Sequence, residues 1–167
     1  MFKKTLLAAA MLAFGGVAIT AQAATTDTFH VNMTILKSCS VTAGSASDIQ
    51  IGAATGVTAD SGSNDGHSTI QVLCSKGTNY SVGLQPSNGN QQGAGTMTGS
   101  SGDSVPYQLH SGSATGPTWG TAAAKNNGPV NGTGNGAQQS LDVFAVAPDA
   151  NYTPGDYSDV VTVNLSF

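Results

Sequence analysis

The sequence contains no arginine and no glutamate; its charge rests on five lysines and nine aspartates, 8% of 167 residues. Without clustered Lys or Arg a chain cannot neutralise a phosphate backbone, which argues against nucleic acid as a partner. Cysteine is nearly absent as well. Cys39 and Cys74 are the two present, and no third or fourth ligand stands at zinc-like spacing, so metal binding by the pair is the weaker alternative. No apolar run reaches the ~20 residues that a membrane-spanning helix needs. Beyond the first 23 residues no stretch keeps an apolar i, i+3, i+4, i+7 pattern for three turns, which removes the signal for amphipathic helices.

Met1–Ala23 reads as a secretory signal peptide: Lys3 and Lys4 open it, an apolar run from Leu6 to Ile19 follows, and Ala21-Gln22-Ala23 is a small-x-small cleavage site. The expected mature chain, Ala24–Phe167, is one domain's worth. It carries Lys37, Lys76 and Lys125 against all nine aspartates. Once the chain has left the reducing cytoplasm, an even cysteine count favours one disulfide, Cys39–Cys74. In the loop-entropy account such a closure stabilises by roughly 3–4 kcal/mol.

What remains is an all-β pattern, in which short alternating runs are separated by clusters of Gly, Ser, Asn and Pro. Strands are expected over Thr28–Val41, with a break near Leu36-Lys37, and over Asp48–Gly52, Ser68–Ser75, Asn79–Gln85, Ser104–His110, Ser140–Ala147 and Tyr157–Phe167. The segments Pro86–Asp103 and Ser111–Gln139 are too polar to bury much apolar area and read as surface loops. Trp119 is the one residue able to pin the second of them. Tyr157 has the place of a tyrosine corner, a hydrogen-bonding brace of immunoglobulin-like domains. His30, His67 and His110 are scattered and belong to no hydrolase or metalloprotease signature, so the pattern is not that of an enzyme. The loop Asp60–Gly66 is rich in oxygen ligands but lacks the EF-hand order, and reads as a solvated turn. No cofactor signature is present.

The two ends carry the functional expectation. In Thr28–Ile35 the apolar Phe29, Val31, Met33 and Ile35 alternate with polar neighbours, so an extended chain places all four on one face. At the other end Val161, Val163, Leu165 and Phe167 alternate in the same way. An immunoglobulin-like sandwich needs at least seven strands, and the strands after the leading one come up one short. The edge beside Val161–Phe167 is then expected to be an open hydrophobic groove of a kind natural proteins avoid. Four buried side chains at ~1.5–3 kcal/mol each would contribute on the order of 6–12 kcal/mol to whatever fills it. A donor patch and an acceptor patch that differ make a heterologous contact, and repeating it gives an open filament.

Phe29-x-Val31-x-Met33-x-Ile35-x-x-x-Cys39, the second cysteine in Ile70-Gln-Val-Leu-Cys74, and Gly155-Asp-Tyr157-Ser-Asp159-x-Val161-x-Val163-x-Leu165-x-Phe167 together resemble the major pilins of archaic, Csu-type chaperone-usher pili. These pilins share the spore coat protein U-like domain. The resemblance spans the mature chain and implies an incomplete immunoglobulin-like β-sandwich, residues 36–167, preceded by a donor strand, residues 24–35. It implies a periplasmic chaperone that lends a strand and an outer-membrane usher that exchanges it for the donor strand of the next subunit, a known form of recognition by strand addition. Phe29, Val31, Met33 and Ile35 would be the donor side chains. Val161, Val163, Leu165 and Phe167 would line the acceptor groove and meet the chaperone. Further partners would be other copies of the chain and the minor and tip pilins of a cell-surface fibre supporting attachment and biofilm formation. The alternatives are an adhesin acting through its long loops, and a spore-coat structural protein. Tip adhesins usually carry a second, receptor-binding domain, for which this length leaves no room.

Overall fold

The computed structural model describes residues 24–44, 47–52, 64–121 and 128–167. The expected leader lies outside them, as does most of the Asp60–Gly66 loop. The chain divides into two units, Met1–Thr34 and Ile35–Phe167. In the first, residues 24–34 are exposed and belong to no helix or strand. Phe29, Val31 and Met33 are 86%, 85% and 83% exposed.

The second unit contains nine strands among its described residues: β1 (Cys39–Thr42), β2 (Asn64–Cys74), β3 (Asn79–Pro86), β4 (Ala94–Gly99), β5 (Ser104–Ser111), β6 (Val130–Thr133), β7 (Gln138–Ala147), β8 (Tyr157–Ser158) and β9 (Val161–Ser166). They make a six-stranded sheet in the order β1-β2-β7-β5-β4-β8 and a three-stranded sheet in the order β6-β3-β9. Every pairing is antiparallel. This is an all-β, immunoglobulin-like sandwich, the fold class expected.

Period-two alternation decides which face each strand buries. Ile70, Val72 and Cys74 of β2, Val105, Tyr107 and Leu109 of β5, and Val143, Ala145 and Ala147 of β7 point into the core, where they meet Tyr80, Val82 and Leu84 of β3. The disulfide Cys39–Cys74, with a Cα–Cα distance of 4.1 Å, joins residues directly opposite one another in the β1–β2 ladder. Trp119 is fully buried, and its indole Nε1 donates to the Val82 carbonyl at 2.7 Å. It pins its segment as expected. The same segment passes over the outer face of β3 at Gly83, where an added Cβ would lie 3.0 Å from the Cα of Thr121.

Several sequence expectations need correction. Thr28–Val41 is not a continuous strand, since only Cys39–Thr42 pairs. Asp48–Gly52 joins no ladder, although Ile49 and Ile51 pack against the core. The expected loop Pro86–Asp103 contains β4, and Ser111–Gln139 contains β6. Both strands hide behind glycines that read as loop residues. Gly95 of β4 lies directly opposite Tyr107, and Gly132 of β6 directly opposite Tyr80. In each case the tyrosine ring occupies the space that a Cβ would need. A third such pair, Gly99 and Tyr157, joins β4 to β8. The glycines are slots for aromatic rings, a recognised way of stabilising glycine in sheets. Finally, Tyr157–Phe167 is two strands in different sheets, because the chain crosses the sandwich at Asp159-Val160.

Candidate functional site

β9 is the edge of the three-stranded sheet. It pairs with β3 from Val161↔Pro86 to Ser81↔Ser166, and among the described residues no strand pairs with its other side. The effect on burial is visible across that one ladder. Val82 and Leu84 of β3 are 0% and 1% exposed, whereas Val161, Val163 and Leu165 of β9 are only partly buried. An unpaired edge also leaves a row of backbone N–H and C=O groups ready to bond another strand.

Beside this edge the sandwich is open. A cavity of about 1030 Å³ runs between the sheets, lined by Val161 and Val163 of β9, Leu84 of β3, and Ile70, Val105, Leu109, Val143 and Ala145 of the larger sheet. The cavity opens to the surface and its inner wall is made of core side chains, so it can take an occupant. The core residues in its lining are of the apolar type that receives alternate side chains of an added strand, while Asp48, Asp149, Asp156 and Asp159 also line it. Ile49 and Ile51 form a further part of the wall.

The expected acceptor residues are not equivalent. Val161 and Val163 line the cavity. Leu165 packs against the core nearer the disulfide end of β9, and Phe167 lies beyond the strand, 61% exposed. Of the expected donor residues, Ile35 falls in the second unit and is 77% exposed, like Phe29, Val31 and Met33 in the first.

Polar contacts hold the groove's edge in place. Tyr107, buried at the cavity wall, donates its hydroxyl to Asp159 Oδ2 at 2.7 Å, and the Val160 backbone N–H donates to Asp159 Oδ1 at 2.8 Å. Burial pushes the Asp159 carboxyl up, but hydrogen bonds from Ser87, Tyr107 and the Val160 backbone outweigh it and hold the group below the ordinary carboxylate value. Burial, and then the hydrogen bond and charge of Asp159, push the Tyr107 hydroxyl well up. Asp159 thus fixes the point where the chain leaves one sheet and starts β9 in the other. Just before it, Tyr157 donates its hydroxyl to the Thr153 carbonyl at 2.6 Å and lies 3.1 Å from Ser101 Oγ, as a tyrosine corner should. Sequence reasoning identified the Tyr157 brace but missed the Tyr107–Asp159 pair and the Ile49/Ile51 wall. The alternation of Ile49 and Ile51 was the signal for the wall; nothing in the sequence marked Tyr107 as the partner of Asp159.

No group of three or more His, Cys, Asp or Glu side chains among the described residues could hold a metal ion. Residues 25–164 match the family model of the Spore Coat Protein U domain. The chain belongs to that family. Comparison with curated protein sequences gives no match. Among solved structures, this Spore Coat Protein U domain is similar to a chain of the CsuC–CsuE chaperone-tip adhesion subunit pre-assembly complex from archaic chaperone-usher Csu pili of Acinetobacter baumannii. The TM-score is 0.51 at 25% identity, over 80% of this chain and 40% of that one. The domain therefore spans about two fifths of the length of the protein it resembles.

Proposed function

We propose that this Spore Coat Protein U domain is a structural subunit of an archaic chaperone-usher pilus, polymerising when residues 24–35 of one copy fill the groove of the next. The observation that carries this reading is the open edge of β9 over a core-lined cavity of about 1030 Å³. Phe29, Val31, Met33 and Ile35 supply a matching row of apolar side chains at strand spacing, each at least 77% exposed. Strand addition satisfies both surfaces at once: the unpaired backbone of β9 gains a ladder, and the cavity gains side chains. Val161 and Val163 are the acceptor residues, with Leu165 and Phe167 extending the same edge.

The likeness to a chaperone-bound pilus complex supports further partners. Before assembly a periplasmic chaperone occupies the groove, and an outer-membrane usher exchanges it for the next subunit, with minor and tip pilins as neighbours in the fibre. Met1–Ala23 directs the chain to the periplasm, and the assembled pilus stands at the cell surface, where it serves attachment and biofilm formation. The role is structural rather than enzymatic.

A variant lacking residues 24–35 tests the donor assignment. It is expected to remain folded and to bind a synthetic peptide of residues 24–35, yet to form no fibre when purified alone or expressed with the chaperone and usher. Fibres of normal length from that variant, seen by electron microscopy, would sink it.

A further inference from the structure

Charge in the folded domain is concentrated, with opposite sign, at its two ends. At one end Cys39 opposes Cys74, the Ser75 N–H donates to the Ser38 carbonyl at 2.9 Å, and the Ser38 N–H donates to Ser75 Oγ at 3.1 Å. These contacts bring Lys37 and Lys76 to the same end, where neither has an ion-pair partner among the described residues. At the opposite end β2 starts against the end of β7, at Asn64↔Ala147, and β9 starts against the end of β3, at Val161↔Pro86. Asp149 follows β7 there, and Asp156 and Asp159 flank β8. All three line the cavity. Asp65 and Asp103 stand at the same end, beside the starts of β2 and β5. Asp142 lies midway along β7 and Asp48 lines the cavity outside any strand, and Asp60 and Lys125 are outside the described residues.

This division distinguishes the two directions in which a strand could lie along β9. A donor running parallel to β9 would leave its last residue, Ile35, over the end of β9, bringing the Lys37–Lys76 end of its own domain against the same basic end of the acceptor. A donor running antiparallel places Ile35 over Val161. Lys37 follows two residues later, within about 7 Å of chain, at the end of the acceptor where these aspartates stand.

We propose that the basic Lys37–Lys76 end of one copy docks against the aspartate rim of the groove in a second copy, orienting the incoming subunit and speeding its capture. The inference rests on the strand-donation reading and adds to it an interface outside the donated strand. The pairs are exposed, so their effect falls on the encounter rate and on direction more than on final stability.

The test uses full-length mature chains, comparing wild type with Lys37→Glu/Lys76→Glu, with Asp149→Lys/Asp156→Lys, and with all four changes combined. Assembly is followed by light scattering at about 0.02 M and about 1 M salt. Each double reversal is expected to slow assembly by about tenfold at low salt, the difference should vanish at high salt, and the fourfold variant should recover. Equal rates at low salt, or no recovery in the fourfold variant, would overturn the charge contact while leaving strand donation intact. Failure of the wild type itself to assemble would overturn both.

Discussion

Val31→Asp is expected to stop fibre growth, leaving subunits that still fold but no longer donate. The side chain is 85% exposed in the free chain, so a carboxylate there costs the unassembled subunit almost nothing. In a groove occupied with Ile35 over Val161, the same carboxylate would lie beside Leu165, facing the core between the sheets. Burying an unpaired charge costs about 3–5 kcal/mol, which weakens the subunit contact by two to nearly four orders of magnitude. The mirror change, Val163→Asp, should block acceptance in the same way. Mixing separates the two: a Val31→Asp chain should still accept a peptide of residues 24–35, and a Val163→Asp chain should not. Sedimentation of fibres and peptide binding by fluorescence anisotropy read both effects. Unchanged polymer stability in Val31→Asp would remove Val31 from the contact.

The second large effect is expected from Trp119→Ala. This residue is 0% exposed and bonds the Val82 carbonyl, so truncation opens a large void and leaves a buried acceptor short of a partner. Aromatic-to-alanine changes of this kind cost about 3–5 kcal/mol, and for a domain of this size that lowers the melting temperature by about 10 °C. The cover that residues 119–121 give to β3 at Gly83 should loosen with it, so amide exchange along β3 should quicken more than along β2. A melting temperature within a degree or two of wild type would mean that Trp119 packs more loosely than its burial indicates.

What could be read in advance divides along physical lines. β2, β3, β5 and β7 were legible because a half-buried strand writes its two faces directly into alternate residues, as in Val105, Tyr107 and Leu109. The disulfide was legible because two cysteines allow one pairing. β4 and β6 were not legible, since their strand character depends on glycines facing Tyr107 and Tyr80 across the ladder, a relation that exists only in three dimensions. The same holds at the groove. Val161, Val163, Leu165 and Phe167 look alike by pattern, yet two line the cavity, one packs beside it and one stands beyond the strand. Asp159 interrupts what reads as one strand because its carboxylate is tied to Tyr107, 52 residues away. The open edge at β9 agrees with the expectation but not with the strand count behind it, since nine strands form among the described residues, and the cavity's depth depends on which core residues lie behind β9.

Whether the sandwich lacks a strand is decided by comparing the size, by light scattering, of two forms of the mature protein prepared without its assembly partners. One is the native chain. The other carries Thr25–Ile35 copied after Phe167 through a short flexible linker, since antiparallel strands can be joined by a tight hairpin. A chain with an unfilled groove should aggregate or polymerise in the native form, and should be a stable monomer with a higher melting temperature in the extended form. Two equally stable monomers would show that the sandwich is complete without a donated strand, and polymerisation by strand donation would then be wrong.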